Sequence, residues 1–553
     1  MAGGWTRKIT PGATPLPLLS ASGVGGSILS VARRTTSTPT PAHPSAVMDT
    51  RGRSADVGRG TAAPSTWGLA DGQAIPWEYA PAPESRDVVS IADRYDLFIG
   101  GRDVRPHGGK TFTTLDPATE EPLAQVALAD THDVDRAVAA ARTAFATTWG
   151  PMPGRERAKY LYRIARILQE RSREFAVLET LDGGKPIKES RDVDVPLTAA
   201  HFWYYAGWAD KLEYAFPNRD PKPLGVAAQV IPWNFPLLML AWKIAPALAA
   251  GNTVVLKPAS ATPLSALLFA DVCRQADLPP GVVNIITGPG EIGLALVSHP
   301  DVDKVAFTGS TAVGKEIGRA IAGSGKALTL ELGGKAANIV FDDAPFDQAI
   351  EGVINGIFFN QGEVCCAGSR LLVQESIAEP FVERLKERLS TLRVGDPMDK
   401  NTDVGAINNA AQLARIHELI EAGIAEGAQI YQPPCELPAR GYFVRPTLFT
   451  NVSQSSRIAR EEIFGPVLSV ITFRTPEEAI EKANNTAYGL SAGVWTEKGS
   501  RILAMASRLR AGVVWANTFN RFDPTSPFGG YKESGFGREC GLHGLLAYMD
   551  TDA

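Results

Sequence analysis

Two adjacent cysteines, Cys365 and Cys366, stand in the segment FFNQGEVCCAGSR, among Gly, Asn, Gln, Glu and Arg. A cysteine attacks a carbonyl as its thiolate, which needs nearby positive charge or a helix N-terminus and a cleft shared with helper groups. If the chain turns into helix after Gly362, the two residues lie about 100° apart around the axis, so one is the nucleophile and the other is packing. Without helpers, both would be inert buried thiols. Polar residues at the ends of apolar runs supply the candidates. Glu331, in TLELGGKAANIV with Gly333 and Gly334 behind it, is a candidate general base, the alternative being a solvated or capping glutamate. Asn234, in IPWNFP, carries an amide able to donate to a developing oxyanion, the alternative being a turn asparagine before a helix opened by Pro236.

A second constellation suits a phosphate-bearing ligand. In FTGSTAVGKEIG a strand ends at Phe307, a Gly-Ser turn follows and a helix begins near Thr311. Backbone N–H groups at such a start can hold a pyrophosphate, and Gly309 and Gly314 permit close approach. The spacing is not the dinucleotide fingerprint G-x-G-x-x-G, so a tight βα turn is the alternative. Lys257, which ends NTVVLKP, adds a cation for a ribose or phosphate oxygen at the same sheet edge.

These residues need a frame that brings strand ends together. Between Gly225 and Glu331 the runs GVAAQVI, NTVVLKP, GVVNIIT, KVAFTGS and ALTLEL alternate with the helix-like stretches Pro236–Ala250, Thr262–Ala276, Glu291–Ser298 and Thr311–Ala322. Apolar strands separated by helical crossovers imply an α/β fold with a doubly wound parallel sheet, which binds ligands at its carboxyl edge. A second alternation, from Asp347 to Val394 and from Glu477 to Val514, implies another α/β unit. Residues 1–85 are rich in Ser, Thr, Pro, Ala and Gly and read as a low-complexity, disordered tail. Their single acidic residue up to Thr50, Asp49, stands against Arg7, Lys8, Arg33 and Arg34, a composition that a transit peptide shares. A bland tail, or a start at Met48, is the preferred reading.

The 553 residues allow several domains, and 44% hydrophobic with 21% charged residues describes a globular chain. A net charge of -5 offers no field for nucleic acid or an anionic membrane. The longest apolar passage, IPWNFPLLMLAWKIAPALAA, is broken by prolines and by Lys243, so no membrane segment is expected. Cys273, Cys365, Cys366, Cys435 and Cys540 form neither a metal spacing nor a disulfide framework, which suits a reducing, cytoplasmic setting.

IPWNFP, LKPAS, FTGSTAVG, LELGGK, NQGEVCCAGSR, EEIFGPV, NNTAYGLSAGVWT, VWAN and SPFGGYKESGFGRE follow one another over about residues 93–540. In that order they resemble the NAD(P)-dependent aldehyde dehydrogenase superfamily. The resemblance implies a cofactor domain at 86–330 with an oligomerisation segment near 209–224, a catalytic domain at 331–511, and a return at 512–553 ending in an oligomerisation tail. The family pattern Gly-(Gln or Glu)-any-Cys falls on Gly362, Glu363, Val364 and Cys365, which makes Cys365 the nucleophile and Cys366 its packing neighbour. Glu331 resembles the base that activates water. Asn234 resembles the oxyanion amide, a task shared with the Cys365 N–H. Lys257 resembles the group on the adenosine ribose, and Gly309, Ser310 and Gly314 the cofactor turn. Glu462 resembles the group that grips the nicotinamide ribose, with Phe464 beside the ring and Trp233 and Leu332 lining the cleft. No metal is implied.

The activity so implied is oxidation of an aldehyde to an acid, with NAD or NADP as cofactor, through a cysteine thiohemiacetal and a thioester hydrolysed by Glu-activated water. A CoA-acylating enzyme is the runner-up, and an inert relative the third reading. Many NAD-preferring members carry Glu three residues after the lysine of LKPA; here it is Ser260, which admits NADP. The segment between Trp208 and Gly225 is shorter than the usual hairpin, and the chain stops soon after Tyr548, so a homodimer is expected, with a tetramer as the alternative. Phe202, Trp208, Val364 and Phe522 are expected around the aldehyde tunnel, and no paired-arginine signature for a dicarboxylic semialdehyde is present.

Overall fold

The computed structural model describes residues 80–215 and 220–551. The five apolar runs form five parallel strands, Val226–Val230, Thr253–Lys257, Val283–Ile285, Lys304–Thr308 and Ala327–Glu331. Nearly every residue in them is buried, as a sheet covered on both faces requires. The helices Pro236–Ala250, Leu264–Gln275, Gly290–Ser298 and Thr311–Ala320 connect them.

From Val226–Val230 the chain builds outward through Thr253–Lys257 to Val283–Ile285, then returns to lay Lys304–Thr308 and Ala327–Glu331 on the other side. The switch point is therefore between Val226–Val230 and Lys304–Thr308, where open α/β sheets leave a crevice beyond their strand ends. The loop with Asn234 leaves one of these strands and the Gly309–Ser310 turn leaves the other. Glu331 ends the neighbouring strand, opposite Thr308 in the register. The antiparallel strands Gly535–Phe536 and, at the far side, Leu97–Ile99 with Arg102–Val104 complete eight.

A second sheet of seven strands runs in the order Gln429–Tyr431, Thr447–Thr450, Val467–Phe473, Arg370–Gln374, Ala337–Val340, Ser491–Trp495, Val513–Ala516. All its neighbours are parallel except the Gln429–Tyr431 edge. The cysteines precede Arg370–Gln374, and Glu462 precedes Val467–Phe473.

Of the expected tail, residues 1–79 lie outside the described residues, but 80–85 belong to the body and correct the expected limit at 85. Pro83 bridges to Asp399. The Glu84 N–H donates to the Met398 carbonyl at 2.8 Å, and its carboxylate pairs with Arg173 and Lys400. At the other end, Met549–Asp550 pairs antiparallel with Lys222–Pro223 of the same chain, so a pairing strand after Tyr548 exists in short form. Among the described residues no helix is long and apolar enough to cross a membrane, and no cluster of His, Cys, Asp and Glu could hold a metal.

Candidate active site

The helix Phe346–Phe358 ends at a turn in which Asn360, Gln361 and Gly362 all adopt positive φ, at 49°, 53° and 74°. The helix expected after Gly362 does not form. Glu363 to Cys366 continue in turns, with the Ala367 N–H donating to the Val364 carbonyl at 3.0 Å. Helical angles therefore do not separate the two cysteines, and both contribute to the wall of one cavity. They differ in exposure. Cys365 is partly open to the cavity, whereas Cys366 is 1% exposed with its thiol 3.7 Å from the Asn520 amide oxygen. Two glycines permit this loop. A Cβ on Gly362 would sit 2.2 Å from the Gly465 carbonyl oxygen, and one on Gly334 would sit 2.2 Å from the Cys365 carbonyl oxygen. Hydrogen bonding with Cys366 and burial push the Cys365 thiol well above its usual range.

Asn234 is buried, and its Nδ2 donates to the Glu363 carbonyl at 2.8 Å. The Asn360 Nδ2 donates to the carbonyls of both Asn234 and Glu363, each at 3.1 Å. The oxyanion candidate is thereby laced to the backbone just before Cys365. Glu331 lies in the same wall, and neither of its carboxylate oxygens has a hydrogen-bond partner among the described residues. A Cβ on Gly529 would meet its Oε1 at 2.6 Å, so that glycine leaves the carboxylate its place. Burial, reinforced by the Glu539 carboxylate, holds Glu331 well above the usual carboxylate range, against the opposing pull of Lys243.

Lys243 and Glu539 form a buried ion pair, with Lys243 Nζ also donating to Thr308 Oγ1 at 2.7 Å. Sequence reasoning assigned them nothing. The signal was the lysine itself, a cation inside an otherwise apolar helix, which must find a buried partner.

The cavity encloses about 330 Å3. One arm is walled by Trp233, Gly309, Ser310, Leu332, Glu462 and Phe464. Phe464 has φ 55°, stands edge-on to Trp233 with ring centres 5.2 Å apart, and is held by Gln412, whose Nε2 donates to the Ile463 and Phe464 carbonyls. Glu462 Oε1 accepts from the Gly334 N–H at 2.9 Å, and burial raises its carboxyl to about 7. Gln412 and Arg415 also line this arm and were missed.

Three expected cofactor residues stand outside the wall. Gly314 lies beneath Leu332, where a Cβ would come within 2.4 Å of Leu332 Cδ2. Lys257 Nζ donates to the Pro258 carbonyl at 2.8 Å, and burial lowers its pKa to about 8. Ser260 Oγ donates to the Gly288 carbonyl at 2.7 Å. The other arm is apolar, with Leu238, Met239, Trp242, Val364, Phe522 and Phe528. Phe202 and Trp208 are absent from it. Phe202 is buried against Phe269 at 5.6 Å between ring centres, and Trp208 packs on Tyr204.

The model of the "Aldehyde dehydrogenase family" matches residues 104–553. The chain belongs to the aldehyde dehydrogenase family. Among aldehyde dehydrogenases it is 46% identical over 465 residues to one from Alternaria alternata, covering 82% of this chain and 94% of that one. It is likewise 46% identical over 469 residues to human retinal dehydrogenase 2, covering 82% and 90%. The solved NAD+ complex of the Bacillus cereus aldehyde dehydrogenase is 44% identical with a TM-score of 0.81, covering 83% of this chain and 96% of that one. An indole-3-acetaldehyde dehydrogenase solved with NAD+ is 42% identical, also with a TM-score of 0.81, covering 84% and 96%. The two-sheet α/β architecture is thus the aldehyde dehydrogenase fold, and the chain is an oxidoreductase of that family.

Proposed function

We propose that this protein oxidises an aldehyde to the carboxylic acid, with Cys365 as nucleophile and water as the acyl acceptor. The observation that carries the reading is that Cys365 and Asn234, from loops of two different sheets, and Glu331, from a strand end, line one cavity. The Cys365 sulfur attacks the aldehyde carbon as its thiolate, the thiol proton passing to water in the open cavity, because the free site favours the neutral thiol. Negative charge then gathers on the former carbonyl oxygen, where the Asn234 amide and the Cys365 N–H stabilise it. After oxidation the acyl group is a thioester on Cys365. Glu331, with both oxygens unengaged, accepts a proton from the attacking water, and the thiolate leaves.

The polar arm fits a nicotinamide dinucleotide. Gly309 and Ser310 open the helix Thr311–Ala320, whose first N–H groups suit a phosphate, and Glu462 offers a carboxylate to ribose hydroxyls. When bound, that cofactor supplies the hydride acceptor. Ser260 places no carboxylate near the expected adenosine end, which supports use of NADP as well as NAD. The free carboxylate of Glu331 favours hydrolysis over transfer to CoA, and the apolar arm favours aldehydes with an aliphatic or aryl body. In an assay with NAD and NADP over aliphatic, aromatic, amino and acidic aldehydes, Cys365→Ser abolishes turnover and Cys366→Ser keeps most of it. Comparable losses in both variants, with the fold intact, refute the assignment.

A further inference from the structure

Asn234 is oriented by a turn that cannot hold itself. Asn360 and Gln361 are not glycine, yet both adopt left-handed backbone, which costs each of them roughly a kilocalorie per mole unless the surroundings impose it. In this conformation the buried Asn360 N–H finds no acceptor in its own loop. It donates instead to Glu189 Oε2 at 2.8 Å, from a segment 171 residues earlier in the chain. Glu189 is itself buried. The lysines whose charge reaches it, Lys185 and Lys188, are bound to Asp194 and Asp403, each at 2.5 Å, so Glu189 acts on the turn as a hydrogen-bond acceptor and not as half of an ion pair.

The segments on either side of this contact are zipped together. Phe235 stacks on Phe359 with ring centres 6.0 Å apart, and the Asn360 amide bridges the carbonyls of Asn234 and Glu363.

We propose that Glu189 is a positioning residue for the oxyanion amide: by accepting the Asn360 N–H it holds the left-handed turn whose side chain orients Asn234 beside Cys365. This rests on the assignment of Cys365 and Asn234 given above. Loss of the acceptor leaves a buried N–H unpaired and lets the turn rotate, whereas an amide oxygen at the same place preserves it.

The test compares Glu189→Leu, Glu189→Gln and the parent enzyme in three measurements. These are aldehyde oxidation, cofactor-free release of p-nitrophenol from p-nitrophenyl acetate, and alkylation of Cys365 by iodoacetamide, which builds no oxyanion. For Glu189→Leu, kcat and the p-nitrophenol burst fall roughly ten-fold or more, KM stays within about two-fold, and alkylation is unchanged. Glu189→Gln remains near the parent in all three. If Glu189→Leu does not fold, Asn360→Gly, which keeps the backbone conformation and removes the amide bridge, shows the same loss. A parent-like burst in folded Glu189→Leu or in Asn360→Gly overturns the proposal. So does an equal loss in Glu189→Gln, or alkylation slowed as much as acylation. A parent enzyme that oxidises no aldehyde with either cofactor overturns the proposed function, and this inference with it.

Discussion

Replacing Glu331 by Gln removes a proton acceptor while keeping its shape, in a place where nothing else can take over. Its oxygens accept no hydrogen bond, Glu462 is bound to the Gly334 N–H, and Glu539 is paired with Lys243. The whole general-base contribution to thioester hydrolysis is therefore lost, about 10²–10⁴-fold in rate, or roughly 3–5 kcal/mol of barrier. Acylation is spared. Burial favours the neutral form of Glu331, and the amide that replaces it is neutral and of the same shape, so Asn234 stays in place. Stopped-flow mixing with aldehyde and cofactor then gives a burst of reduced cofactor near one per site, followed by slow turnover. The parent kcat rises with pH, because the base works ionised and its pKa is raised, and Glu331→Gln lacks that limb. A burst that vanishes while cofactor still binds refutes the reasoning, since it makes Glu331 necessary before hydrolysis.

Gly334→Ala puts a Cβ 2.2 Å from the Cys365 carbonyl oxygen, so the nucleophile loop shifts and kcat falls roughly a hundred-fold with the fold retained, as circular dichroism checks. Ser260→Glu restores a carboxylate at the adenosine end and lowers kcat/KM for NADP relative to NAD by roughly ten-fold or more; an unchanged ratio removes Ser260 from cofactor choice. Asp182 is fully buried, and burial raises its pKa to about 8, above the unfolded value. The native state thus binds the extra proton and its stability falls as pH rises toward that pKa, so Asp182→Asn shows a smaller loss of Tm between about pH 6 and about pH 9.

The five strands of the first sheet were legible because strands covered on both faces leave uninterrupted apolar runs, and Pro236–Ala250, opened by its proline, was read to the residue. The strand order, and the switch point that depends on it, came only with the structure. The turn at Asn360 was not legible, since its two non-glycine residues in left-handed backbone bond to Glu189, Asn234 and Ala406, all remote in sequence. Phe202 was misplaced because an aromatic residue on a buried helix says nothing of which neighbour it meets. Lys257, Ser260 and Gly314 sit at the expected sheet edge, yet packing turns them to backbone carbonyls or to Leu332.

The near-contact of Gly362 with the Gly465 carbonyl ties two loops that serve different ends. One carries Cys365, the other Glu462 and Phe464, and a methyl group added at Gly362 would displace the Gly465 carbonyl. On the proposed assignment, selection for altered cofactor affinity that moves the Glu462 loop also moves the loop of Cys365, and reactivity and cofactor grip drift together.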